Sequence, residues 1–333
     1  MSSPPSFVVT ATPHRVSLLG GGSDLPDFFL ANRGAVVSLT IKRFLYVTVK
    51  RHSDLFGEQY RLSYSETEHA DSVDDIRNDI ARECLKLVPV PPPLYISTAS
   101  DVPASSGLGS SAAFAIGLLH ALHALRGEDV SPLELADEAS TVEIDRLNRP
   151  IGLQDQYACA YGGLNYLQFE KGYGVRLEPL LMSGERLGDF LSGVKLVWSG
   201  NQRDAGEVLG EQRRRIPQTS ASLIQLVRLA DDARTSLLSS PDPLSDISKL
   251  VNESWELKRG LATGIDTAGI SRLISDVRSA GASAAKVCGA GGGGFVMALV
   301  PPEEREPFAS RLADHSVLGV ELEPRGSRLV VSL

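Results

Sequence analysis

The chain has 333 residues, which at about 150 residues per domain suggests two domains. Lys and Arg number 33 against 41 Asp and Glu, for a net charge of −8; this balance argues against non-specific binding to nucleic acid or a membrane surface. Hydrophobic residues at 42% and charged residues at 22% are ordinary globular usage and exclude intrinsic disorder.

Cys84, Cys159 and Cys288 lie far apart with no CxxC spacing, which speaks against a disulfide framework or a cysteine-based zinc site and fits a reducing compartment. The first residues carry no basic stretch followed by an apolar core, so no secretory signal is expected. The uncharged run at 102–125 is interrupted by Pro103, serines, glycines and two histidines, and a membrane helix is not expected there. The expectation is a cytoplasmic protein that acts on small molecules, with a homodimer left open.

Taken in chain order, residues 7–11, 35–41 and 45–50 read as strands around a glycine-rich turn. Helical spacing over 74–87 stops at Pro89 and Pro91–Pro93, and 94–98 reads as a short strand. Residues 112–125 are too uncharged for the surface and predict a buried central helix. Ser131, Pro132 and Glu134 combine an N-cap, a proline at the first helical position and a capping-box glutamate, predicting a helix to about Leu147 that Pro150 ends. Strands follow at 163–170 and 194–198, helices at 217–239, 243–263 and 267–280, and strands at 284–288 and 295–300. The domain boundary is expected near 180–192, giving units 1–185 and 186–333.

Ten of the 31 glycines fall in three clusters: Gly20–Gly22, Gly107 with Gly109, and Gly289 with Gly291–Gly294. Such clusters suit loops that wrap a bulky anion. The middle cluster opens the long apolar helix, where free N–H groups and the helix dipole favour phosphate; a capped helix packed closely on a sheet is the alternative. No Walker A lysine follows the glycines, and no dinucleotide fingerprint is present.

Three segments in order, PHRVSLLGGGSDLPDFF at 13–29, PASSGLGSSAA at 103–113 and KVCGAGGGGFV at 286–296, resemble the motifs of the GHMP kinase superfamily. The resemblance implies a two-domain α+β fold with ATP and the acceptor in the cleft between domains. It places Pro103, Ser105, Ser106, Gly107, Leu108, Gly109, Ser110, Ser111 and Ala112 at the nucleotide, and Ser111 with Glu143 at Mg²⁺. Asp155 matches the catalytic aspartate and Arg15 the arginine beside it, although a purely structural ion pair is the other reading of these two. Gly21, Gly22, Ser23 and Asp24, with Gly291, Gly292 and Gly293, are implied at the acceptor; Asp24 and Ser23 are equally candidates for a helix N-cap. Glycines at 20–22 and the Trp255–Lys258 segment resemble the branch that phosphorylates the anomeric oxygen of D-glycero-D-manno-heptose 7-phosphate, with L-fucose kinases close behind. Arg43, Arg146, Arg149, Arg203 and Lys258 are all candidates for a 7-phosphate anchor. Rivals are a non-catalytic ATP- and sugar-binding regulator and, remotely, a dinucleotide-dependent oxidoreductase.

Overall fold

The computed structural model describes residues 5–53, 55–172, 174–202 and 205–333. The chain begins with β1 (Phe7–Leu19), α1 (Pro26–Phe29), β2 (Gly34–Arg51), β3 (Tyr60–Ser63), β4 (Thr67–Ala70), α2 (Asp79–Leu87) and β5 (Leu94–Ser100). It continues with α3 (Ser110–Arg126), α4 (Pro132–Ser140), a π-helical stretch (Thr141–Arg146), α5 (Gln154–Tyr161), β6 (Leu164–Phe169) and β7 (Val175–Pro179). Next come α6 (Gly184–Ser192), β8 (Val194–Trp198), α7 (Ala205–Ser239), α8 (Pro243–Arg259) and α9 (Ala268–Ser279). The last elements are β9 (Ala284–Val287), β10 (Phe295–Leu299), α10 (Arg305–Arg311), β11 (Val317–Gly319) and β12 (Arg328–Ser332).

Two sheets organise these elements into the α+β, two-domain architecture that the motifs implied. The first has the order β12-β1-β2-β5-β3-β4, with β6 and β7 attached through β2. The second has the order β11-β8-β10-β9. Expected strands at 35–41 and 45–50 are one continuous β2, because its first part pairs with β6 and its last part with β5 while β1 runs along the other edge. The final strand, β12, pairs with β1 in the first sheet, so the end of the expected 186–333 unit crosses back. A pattern of alternating residues does not disclose a partner at the opposite end of the chain.

The expected helix at 74–87 starts only at Asp79. Glu68 accepts the backbone N–H groups of Arg77 and Asn78 at 2.8 and 3.1 Å, and Asn78 then restarts the helix as an N-cap to Ala81. The helix expected from 217 begins at Ala205 and carries Pro217 inside it. Proline removes one ladder bond, but Val208 and Ile216 are buried on the same helix, and packing carries it through. The buried helix at 112–125 appears as α3, held on β1 where Thr10 Oγ1 donates to the Gly117 carbonyl at 2.8 Å. The capping box of Ser131 and Glu134 forms as expected.

One core lies beneath α2, α3, α4 and α5. The other joins Val16, Leu18 and Leu39 of the first sheet to Leu223, Val251, Trp255 and Val296 of the second part. The two parts therefore share an apolar interior. Even α1, only four residues long, is anchored by Phe28 and Phe29, both 0% exposed, each contributing about 1.5–3 kcal/mol of burial. No helix among the described residues is long and apolar enough to cross a membrane.

Candidate active site

A cavity of about 490 Å³ opens where β1, the loop before α3, the start of α5 and helices α7 and α8 converge. β1 carries Arg15 into its floor, 4% exposed. The Arg15 guanidinium donates from Nε and Nη2 to the two carboxylate oxygens of Asp155, each at 2.6 Å. Its Nη1 donates to the Gly107 carbonyl at 2.7 Å. Burial opposes the charge of Arg15, but the Asp155 carboxylate outweighs it and the net shift is upward. Asp155 sits in the first turn of α5, where the helix dipole favours a carboxylate.

The loop from Ser105 to Ser111 forms the adjacent wall. Gly107 has φ +81°, and a Cβ there would stand 2.7 Å from the Cys288 carbonyl oxygen, so only glycine fits. The third glycine segment backs this loop: the Phe295 N–H donates to the Ser106 carbonyl at 3.0 Å. The side-chain hydroxyls of Ser106 and Ser110 are buried without a hydrogen-bond partner. Orphaned donors of this kind at a helix N-terminus are what a phosphate chain would satisfy.

Glu143 lies in the π-helical stretch and is 0% exposed; such π turns recur at functional positions. Ser111 donates its hydroxyl to Glu143 Oε1, and Gln156 Nε2 donates to Oε2 at 2.7 Å. Burial pushes the Glu143 carboxyl upward, while the Ser111 and Gln156 hydrogen bonds and the Arg149 charge pull against it. One carboxylate and one hydroxyl, side by side in the cavity that Ser106 and Ser110 also line, are a donor set suited to Mg²⁺, a cation that commonly keeps several waters and would take further ligands from a bound phosphate. The described residues hold no group of three or more His, Cys, Asp or Glu suited to a metal.

On the opposite side Asp24 is 9% exposed. Its Oδ1 accepts from the Gly22 N–H at 2.8 Å and its Oδ2 from the Gln154 N–H at 3.3 Å. Burial raises its carboxyl above the usual range. A Cβ at Gly152 would stand 2.0 Å from Asp24 Oδ2, so the chain leading to Asp155 presses against Asp24 only because that residue is glycine. From α8, Lys258 reaches the same cavity and donates to the Gly289 carbonyl at 2.5 Å. Burial lowers the Lys258 ammonium to about 8.

Most residues expected at the site line one cavity: Arg15, Gly21, Gly22, Asp24, Ser105, Ser106, Gly107, Gly109, Ser110, Ser111, Ala112, Glu143 and Asp155. Pro103 and Leu108 are not among its lining residues, and Leu108 is a core side chain instead. Ser23 is buried, with its hydroxyl donating to the Gly20 and Ala35 carbonyls at 2.8 and 3.0 Å. Gly291, Gly292 and Gly293 also stand outside the lining, which takes Gly289 and Ala290 from that segment. The Gly292 N–H donates to the Ile265 carbonyl at 2.9 Å. Among the anchor candidates, Arg149 and Lys258 line the cavity, Arg43 and Arg146 do not, and Arg203 lies outside the described residues. Gln154, Gln156 and Gln212 also line it; amides carry no charge or motif, so nothing in the sequence singles them out.

Orphaned serine hydroxyls and an arginine-held carboxylate in one cavity are groups that phosphoryl transfer can use, and comparisons with known proteins give the class as a phosphotransferase. The GHMP kinases N terminal domain family matches residues 76–163 and the GHMP kinases C terminal family matches residues 243–317. A D-glycero-alpha-D-manno-heptose 7-phosphate kinase of Campylobacter jejuni is 26% identical over 310 residues, covering 89% of this chain and 90% of that protein. A mevalonate kinase of Methanothermobacter thermautotrophicus is 32% identical over 227 residues, 67% of this chain and 70% of the relative. The crystal structure of a D-glycero-D-manno-heptose 1-phosphate kinase from Bacteriodes thetaiotaomicron superposes with a TM-score of 0.79 at 22% identity, covering 98% of this chain and 99% of that one. The chain belongs to the GHMP kinases, enzymes that transfer a phosphoryl group from ATP to an alcohol.

Proposed function

We propose that this kinase transfers the γ-phosphoryl group of ATP to the anomeric hydroxyl of D-glycero-D-manno-heptose 7-phosphate. The product is the 1,7-bisphosphate, made in the cytoplasm for nucleotide-activated heptose and surface polysaccharide. The observation that carries the chemistry is the Arg15–Asp155 pair, tied through Gly107 to the nucleotide loop. Similarity to the Campylobacter jejuni relative over nearly the whole chain supports the sugar phosphate, as does the cationic side chain of Lys258, which faces the cavity.

In this reading Ser106 and Ser110 donate their free hydroxyls to phosphate oxygens, with the loop N–H groups around them. Ser111 and Glu143 would hold Mg²⁺, which when bound neutralises charge on the phosphate chain. Asp155 accepts the proton of the anomeric hydroxyl as the new O–P bond forms and the bond to the ADP leaving oxygen breaks. Arg15 holds the Asp155 carboxylate in place through two hydrogen bonds and offsets charge that develops in transfer. Asp24 accepts hydrogen bonds from sugar hydroxyls, and Lys258 offers an ammonium to an anionic part of the acceptor. Residues 1–185 supply most of the catalytic groups and 186–333 the third glycine segment and Lys258.

Phosphorus NMR with Mg-ATP and D-glycero-D-manno-heptose 7-phosphate, with L-fucose as parallel acceptor, tests this. A new anomeric phosphate on the heptose together with ADP is expected. Transfer to L-fucose alone would overturn the substrate and keep the mechanism; ATP binding with transfer to neither would point to the regulator.

A further inference from the structure

Arg149 occupies an unusual position for a residue that no motif marks. Its Nη1 donates to the Ser111 hydroxyl oxygen at 2.9 Å and lies 3.4 Å from Glu143 Oε1. Its Nη2 donates to both oxygens of Asp79, the first residue of α2, at 2.9 and 3.0 Å. The guanidinium thus touches the same two oxygens that fit a divalent metal. Both carboxylate oxygens of Glu143 are already engaged, Oε1 by Ser111 and Arg149 and Oε2 by Gln156.

Mg²⁺ demands ligand oxygens at about 2.0–2.1 Å, and a guanidinium that cannot lose its proton cannot share that space. The Arg149 main chain is pinned, since its N–H donates to the Glu143 carbonyl at 3.0 Å and Pro150 follows it. The long side chain, about one quarter exposed at 28%, is the part with freedom to move. It lines the cavity beside Ser110 and Ser111, within reach of the phosphate cradle.

We infer that Arg149 is a resident counter-cation of the Ser111–Glu143 pair that transfers to the phosphate oxygens of the nucleotide when a divalent metal enters with it. The inference rests on the metal reading of Ser111 and Glu143 proposed above. While Arg149 holds the pair, bare metal is opposed by like charge at short range. A nucleotide removes that opposition by giving the guanidinium a better anion, with a planar fork matched to phosphate oxygens. Metal and nucleotide then favour each other's binding, and by linkage the coupling is reciprocal. Asp79 holds the outer end of the side chain while the site waits.

The test is Mn²⁺ binding followed by electron paramagnetic resonance, without nucleotide and with saturating ADP. Wild type, Arg149→Gln, Arg149→Met and Glu143→Gln are compared, each checked for native circular dichroism. In wild type, ADP is expected to tighten Mn²⁺ binding strongly. In Arg149→Gln, Mn²⁺ alone should bind about tenfold more tightly, and the ratio of the two affinities should fall at least tenfold. Arg149→Met should do the same, which keeps the test decisive if one variant fails to fold. An unchanged ratio in a folded Arg149 variant overturns the inference. Glu143→Gln separates the two readings: if it leaves Mn²⁺ affinity unchanged with ADP present, the metal assignment itself has failed.

Discussion

Arg15 and Asp155 meet through two parallel hydrogen bonds of 2.6 Å, and the remaining nitrogen of Arg15 reaches the Gly107 carbonyl at 2.7 Å. One side chain therefore joins the centre of β1, the start of α5 and the loop before α3. It is buried, at 4% exposure, so the carboxylate it grips has a defined direction relative to the loop that carries Gly107. Preorganisation of this kind is where phosphoryl transfer gains most, since the reaction asks for positioning and charge more than for covalent chemistry.

Asp155→Asn keeps the shape and removes the base. Turnover should fall by about 10²–10⁴-fold, while the nucleotide dissociation constant stays within about threefold. The carboxylate is 31% exposed and Arg15 is nearly buried, so losing the charge partner should cost stability, at about 1–3 kcal/mol after discounting for solvent screening. Steady-state kinetics, calorimetric nucleotide binding and thermal unfolding check the three parts. Turnover above a tenth of wild type would remove Asp155 from the role of base.

Gly107→Ala tests the loop contact. The residue has φ +81° and no room for a Cβ beside the Cys288 carbonyl, so substitution should destabilise the protein by about 1–3 kcal/mol and weaken nucleotide binding at least tenfold. Gly127 ends α3 with φ +74°, and a Cβ placed there would meet nothing within 4 Å. Gly127→Ala should cost only about 1 kcal/mol and leave nucleotide affinity alone. Equal effects of both substitutions on affinity would show that the collision at Cys288 is irrelevant.

Lys258 predicts a pH dependence with two opposite signs. Its ammonium is lowered to about 8 by burial, so kcat/KM, which reports the free enzyme, should fall as pH rises through about 8 and the cation is lost. Stability should move the other way. Unfolded lysine keeps its proton up to about 10.4, so between about 8 and that value the unfolded state binds more protons and stability rises with pH. Lys258→Met should flatten both the alkaline limb and the stability slope. An alkaline limb that persists near 8 in that variant assigns it to another group.

Much of this was legible from local pattern. The buried helix α3 announced itself by lacking charge on any face, and the capping box of Ser131 by its spacing. The three glycine segments announced close backbone approach, and Gly107 beside the Cys288 carbonyl and Gly294 beside the Ser106 carbonyl show it. Gln156, Gly152 and Arg149 were different. Each matters through a partner in another element: Glu143 across 13 residues for Gln156, Asp24 for Gly152, and Asp79 with Ser111 for Arg149. Ser23 and Gly291–Gly293, expected at the acceptor, stand next in the chain to Asp24 and Ala290, which line the cavity.

The amino-acid sequence by itself determined many of the local elements, since backbone freedom, helix starts and apolar periodicity are properties that residues carry with them, and its three ordered motifs carried the resemblance that implied the class of chemistry. It also contained Arg15, Glu143 and Asp155, the side chains proposed to carry that chemistry. Only the tertiary structure decided which of them meet. Arg15 finds Asp155 across 140 residues, β12 returns to β1 from the far end of the chain, and one apolar core is built from residues of both parts. Those choices depend on long-range packing, whose energy resides in pairs of surfaces and is written in neither surface alone.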